Sequence, residues 1–176
     1  MSERFSLVTA FALVWTVGAS AYAECQTTVF DRSGAWRAFG GQCDDGRQKC
    51  GVSTSGTGKY FSLDYFNGDN TLTVQLGARD WRVKNGVKTG VTMQVDDASP
   101  WRSVGTGMHF SDGDAGLWFE IDRNQLDRFL DEFRGGDELV LRFPDSDVSD
   151  WRASLSGSSR VSDSFLRCIR EMTGSG

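Results

Sequence analysis

Four stretches of this chain place an apolar side chain at every second position. "TLTVQL" (71–76) sets Leu72, Val74 and Leu76 on one side, and "GVTMQV" (90–95) does the same with Val91, Met93 and Val95. "GLWFEI" (116–121) aligns Leu117, Phe119 and Ile121, and "ELVLRF" (138–143) aligns Leu139, Leu141 and Phe143. A period of two is the pleat of a β-strand, and an antiparallel strand covered on one side shows this contrast most clearly. Turn-forming clusters separate the stretches: "NGDN" at 67–70, "NG" at 85–86, "DDASP" at 96–100, "SDGDAG" at 111–116 and "PDSD" at 144–147. About ten short strands follow from this reading.

Two segments change period. "IDRNQLDRFLDEFRGGDE" spaces Leu126, Phe129, Leu130 and Phe133 as one helical stripe, with Asp122 as the expected cap and Gly135-Gly136 as the stop. "GSSRVSDSFLRCIREM" aligns Val161, Phe165, Cys168, Ile169 and Met172, with Ser158 or Ser159 as the expected cap. The fold class is therefore mainly β: a single antiparallel β-sandwich or open barrel with two short helices, stapled by disulfides.

The N-terminus bears on compartment. Arg4 precedes an apolar run from Phe5 to Val17, and small residues lead to Ala21-Tyr22-Ala23. That is the pattern of a cleaved secretory signal over 1–23, too short to span a bilayer. One β-rich domain is then expected over 24–172, with a flexible tail at 173–176. The expected location is periplasmic or secreted, with no membrane span once the signal is removed. The net charge is -5 and the pI is about 4.9, which disfavours nucleic acid as a partner.

Four cysteines, Cys25, Cys43, Cys50 and Cys168, form an even set in an exported chain and read as two disulfides. Three connectivities are open. Cys43 and Cys50 bracket the Asp45-Gly46 turn, which favours a Cys43–Cys50 staple across a hairpin and leaves Cys25 with Cys168. Cys-x-x-Cys is absent, and with His109 as the single histidine no zinc set is formed, so no metal and no cofactor are expected.

Trp-Arg recurs at Trp36-Arg37, Trp81-Arg82, Trp101-Arg102 and Trp151-Arg152. Neighbours in a strand point to opposite faces, so core filling explains Trp36, Trp81 and Trp151. The alternative is a row of tryptophan platforms for sugar rings with arginines beside them for anions. Trp101, just past a turn, and Trp118, between Leu117 and Phe119, are expected to be partly exposed. Binding is assigned to aromatic anchors and arginine, the side chains that dominate interfaces. The candidates are Tyr60, Trp101, Arg102 and Trp118. No catalytic residue is assigned: no Gly-x-Ser-x-Gly occurs, and no carboxylate pair stands out.

"GAWRAFGGQCDDGRQKCGVSTS", "GVTMQVDD", "ELVLRF" and "ASLSGSSRVSDSFLRC" together resemble the exported β-rich proteins of the invasion-associated locus B type from alphaproteobacteria. Trp36, Cys43, Cys50, Asp96, Leu155 and Gly157 occupy that family's motif positions. The usual mid-chain cysteine pair is missing here, and Cys25 and Cys168 lie near the ends instead. The last third also resembles periplasmic accessory proteins of type VI secretion loci. The resemblance implies an exported, non-enzymatic domain, and does not itself imply a role in invasion. The expected function is a binding and interaction module of the envelope, linked to host association, with a protein or envelope component as partner. "SGTGKYF" (55–61) is similar to the Ser-Gly loop of periplasmic lysozyme inhibitors, so an inhibitor or immunity protein against a cell-wall hydrolase is the first alternative. A hydrolase with dispersed carboxylates is the second.

Overall fold

The computed structural model describes residues 24–110, 112–144, 146 and 149–174. The expected signal segment, 1–23, lies outside the described residues, as do 175–176. Ten strands follow in chain order: β1 (Cys25–Ser33), β2 (Trp36–Cys43), β3 (Gln48–Gly56), β4 (Lys59–Phe66), β5 (Thr71–Ala78), β6 (Lys88–Val95), β7 (Trp101–His109), β8 (Ala115–Asp122), β9 (Glu138–Arg142) and β10 (Trp151–Ser154). Two helices, α1 (Leu126–Gly135) and α2 (Ser158–Thr173), interrupt and close the series.

All ten strands belong to one antiparallel sheet in the order β1-β2-β3-β4-β5-β8-β7-β6-β9-β10. It is not closed and is not split into two layers, so the open-barrel alternative describes it better than the sandwich. Its two ends are nevertheless joined. The Trp36 indole N–H of β2 donates to the carbonyl of Ser154 in β10 at 2.9 Å. The β1–β2 turn also meets the chain leaving β10, where a side chain at Gly157 (φ +93) would collide with Ser33.

The alternating residues form the core as the pattern requires. Leu72, Val74 and Leu76 meet Val91, Met93, Leu117, Phe119, Leu139 and Leu141 in one buried cluster. Aromatic rings fill its centre: Phe61 stacks on Trp151, and Trp36 sets its edge on Phe133 of α1. Three of the four Trp-Arg tryptophans, Trp36, Trp81 and Trp151, are buried as expected. Trp101 and Trp118 are partly exposed.

The helices sit on the core face. α2 lies across β1, β2 and β3 and against α1. Neither expected serine caps it. Gly157 holds the N-cap in the left-handed region, and the Ser158 hydroxyl instead donates to the carbonyl of Phe133 at 2.7 Å, tying α2 to the end of α1. Asp122 precedes a 3₁₀ turn (Arg123–Gln125) that leads into α1, and makes no side-chain cap. Among the described residues no helix is long and apolar enough to cross a membrane.

The disulfides overturn the expected pairing. They join Cys25 to Cys43 and Cys50 to Cys168. The hairpin register gives the reason. The backbone N–H of Cys43 bonds the carbonyl of Arg47, while Cys50 lies directly opposite Gly40. Three residue steps, an odd number, lead from position 47 to position 50, so Cys43 and Cys50 point to opposite faces. Cys43 meets its neighbour Cys25 across β1 and β2, and Cys50 faces the core and reaches α2.

The positions that carry the family resemblance are architectural. Trp36 and Leu155 are buried, and Gly157 starts α2. Asp96 (φ +43) accepts hydrogen bonds from the backbone N–H groups of Asp137 and Glu138, both at 2.9 Å, and so sets the start of β9.

Candidate functional site

The face of the sheet turned away from the core is unusual in being partly buried and polar. Cross-strand register defines three rows on it. The first runs Arg37–Ser53–Ser62–Gln75–Trp118–Thr106–Lys88 across seven strands. The second runs Phe39–Gly51–Asp64–Thr73–Glu120. The third runs Ser55–Tyr60–Gly77–Gly116–Met108. An open groove of about 1120 Å³ crosses these rows, lined among others by Arg37, Phe39, Lys49, Ser53, Tyr60, Phe66, Gln75, Thr106, Phe110 and Trp118. Glu24 and Cys25 also line it, so the Cys25–Cys43 bridge clips the edge strand beside the groove.

Asp64 stands in the second row, behind the groove-lining Lys49. It is 0 % exposed, with Oδ2 3.2 Å from the Lys49 ammonium and 3.1 Å from the Ser62 hydroxyl, which donates to it. Its other oxygen, Oδ1, has no hydrogen-bond partner among the described residues. Gly51 opposite makes room: an added Cβ there would sit 2.6 Å from Oδ1 and collide with the Phe39 ring. Burial outweighs the attraction of Lys49 and raises the Asp64 carboxyl above its ordinary value. Lys49 itself lies over two rings, 5.4 Å from the Phe39 centroid and 5.2 Å from that of Phe66.

Tyr60 and Phe110 make an aromatic shelf on the third row. Gly77 and Gly116 lack side chains there, and Phe110 fills the gap, meeting Tyr60 edge-on at 5.4 Å between centroids. Burial first, and the charge of Asp64 second, push the Tyr60 hydroxyl up to about 12. Like any tyrosine it is protonated at physiological pH and can donate a hydrogen bond, and the shift extends that into the alkaline range. Arg37 stands beside it. The guanidinium donates to the Ser55 hydroxyl, and Ser55 is the cross-strand partner of Tyr60. Arg37 makes no ion pair among the described residues, so most of its donor fork is uncommitted.

The four residues singled out from sequence divide. Tyr60 and Trp118 line the same groove. Trp101 is on the core face, where its indole N–H donates to Glu132 of α1 at 2.7 Å, Phe129 meets it edge-on and Arg128 covers its ring at 4.2 Å. Arg102, its neighbour, is exposed on the opposite face, in register with Thr92 and outside the groove lining. Sequence reasoning missed Arg37, Lys49, Asp64, Phe39 and Phe110. A signal for Asp64 was present: in "KYFSLDYF" a carboxylate sits between Leu63 and Tyr65 in an otherwise apolar strand. His109 lies on the rim, Nδ1 2.8 Å from the Asn85 side-chain oxygen.

The fold has a known likeness. The crystal structure of invasion associated protein B from Bartonella henselae is similar at a TM-score of 0.57, with 15 % sequence identity, over 81 % of this chain and 99 % of that one. At that identity the likeness is one of fold. No family model matches the chain, and no curated protein matches it in sequence. The two disulfides fit a protein of the periplasm or the extracellular space, where such bonds persist.

Proposed function

We propose that this chain is an exported, non-catalytic binding module of the bacterial envelope, and that it binds through the groove on the non-core face of its sheet. One observation carries the reading: an uncommitted guanidinium, an aromatic shelf and a lysine held from behind by a buried carboxylate converge on a single open groove. Buried ionisable groups are costly, and they concentrate at functional sites. The fold likeness to an invasion associated protein supports association with a host or with the cell's own envelope as the setting.

The test is a photo-crosslinking residue at Gln75 on the groove floor, set against the same residue at Arg152 on β10. Crosslinked envelope material should appear from position 75 and not from 152. It should be lost on Tyr60→Ala or Trp118→Ala under conditions where circular dichroism shows each variant still folded. Equal crosslinking from both positions refutes the groove. Inhibition of lysozymes by the purified protein would support the inhibitor alternative, and turnover of peptidoglycan the hydrolase.

A further inference from the structure

We propose that the ligand of this groove is a carboxylated oligosaccharide, with its sugar rings on Tyr60 and Trp118 and its carboxylate on Arg37. The proposal rests on the groove reading above and goes beyond it in naming the ligand's chemistry. Three features select that chemistry. The first is the charge. The chain as a whole is acidic at -5, yet the two cations on the groove wall are not equivalent. Lys49 is committed to Asp64, while Arg37 has no carboxylate among the described residues and spends one contact on Ser55. A planar guanidinium with a free fork matches a carboxylate through two parallel hydrogen bonds. A lone arginine in an acidic protein suits a discrete anionic group, not a polyphosphate chain.

The second feature is the surface between the arginine and the tryptophan. Arg37 and Trp118 lie four strand steps apart in one row, about 19 Å at the usual strand spacing. Ser53 and Gln75 stand in that row, with Thr106 on the far side of Trp118. Hydroxyls and an amide two strand steps apart, flanked by half-buried rings, suit an extended ligand with an apolar ring face and many hydroxyls. The third is preorganisation. Tyr60 is locked against Phe110, and the buried Asp64 carboxylate holds Lys49 at 3.2 Å. Rigid side chains lose little entropy on binding.

Titration calorimetry on the exported protein tests this with a galacturonate hexamer and sialyllactose as acidic probes. Maltohexaose and lactose serve as neutral counterparts, and polyglutamate as an acidic peptide. At least one acidic saccharide should bind, with its neutral counterpart at least about tenfold weaker, and with affinity falling as salt rises. Arg37→Ala should weaken that binding by about tenfold or more, and Arg37→Lys by less, since charge without the fork remains. Both variants should keep the wild-type unfolding midpoint. A hexamer-only response identifies a polyuronate, and a sialyllactose-only response a terminal sialic acid. Equal binding of neutral and acidic sugars that still depends on Trp118 refutes the carboxylate assignment and leaves the groove reading standing. Binding of polyglutamate alone, or of none of the probes, refutes the saccharide. Saccharide binding unaffected by Arg37, Tyr60 and Trp118 variants refutes both readings.

Discussion

Replacing Trp36 by alanine removes the side chain that holds the two ends of the sheet together. Its ring is 1 % exposed and meets Phe61 and Phe133 edge-on, at 5.8 and 4.8 Å between centroids. Burying an indole removes about 200 Å² from water, which at about 25 cal/mol/Å² is about 5 kcal/mol as an upper bound. Truncations of buried Trp cost about 3–5 kcal/mol, because the cavity collapses only in part. The Ser154 carbonyl also loses its donor, worth about 1 kcal/mol at a half-buried site. Trp36→Ala should therefore lose about 4–5 kcal/mol, a large share of the 5–15 kcal/mol typical of a domain. Trp36→Phe keeps a ring against Phe61 and Phe133 but cannot donate to Ser154, and should lose about 1–2 kcal/mol. Urea unfolding of the oxidised protein, followed by circular dichroism, reads both. A loss below about 1 kcal/mol for the alanine variant would refute the claim that this ring joins the two ends of the sheet. Equal losses for alanine and phenylalanine would refute the division between packing and hydrogen bond.

Non-reducing peptide mapping should recover Cys25–Cys43 and Cys50–Cys168. Deleting the second bridge, across 118 residues, should cost about 5 kcal/mol, against about 3 for the first, across 18. Asp64 gives a pH dependence whose sign is fixed by its raised folded pKa. The folded state holds a proton that the unfolded chain releases, so the contribution is full below the ordinary carboxylate value and is lost as pH rises through the folded one. Asp64→Asn should therefore gain on wild type as pH increases from about 3 to 7; a flat difference between the two denaturation curves would contradict the burial argument. Gly51→Ala should destabilise by about 1–3 kcal/mol, because the new methyl strikes Phe39 and Asp64. Gly56→Ala in the same strand meets nothing within 4 Å and should stay within about 0.5 kcal/mol.

What could be read along the chain was periodic. Leu72, Val74 and Leu76 announce their strand and its buried face, because a pleat alternates whatever lies beside it. The helical stripe of Phe129, Leu130 and Phe133 is local in the same way, and so is the core destiny of Trp36, Trp81 and Trp151. What depended on pairing was out of reach. Whether Cys43 faces Cys50 or turns its back is decided by the loop register at Arg47, and one residue of shift reverses every face in the strand. The groove is further still from the sequence. Arg37, Tyr60, Gln75 and Trp118 lie on β2, β4, β5 and β8, and β8 joins β5 only because β6 and β7 are set outside it in the sheet order. Trp101 and Trp118 look alike in sequence. They part in the structure because one shares the face of Met93, under α1, and the other shares the row of Gln75, over the groove. A strand's alternation says which side chains share a face. Only the assembled sheet decides which face receives the helices and which is left to meet a ligand.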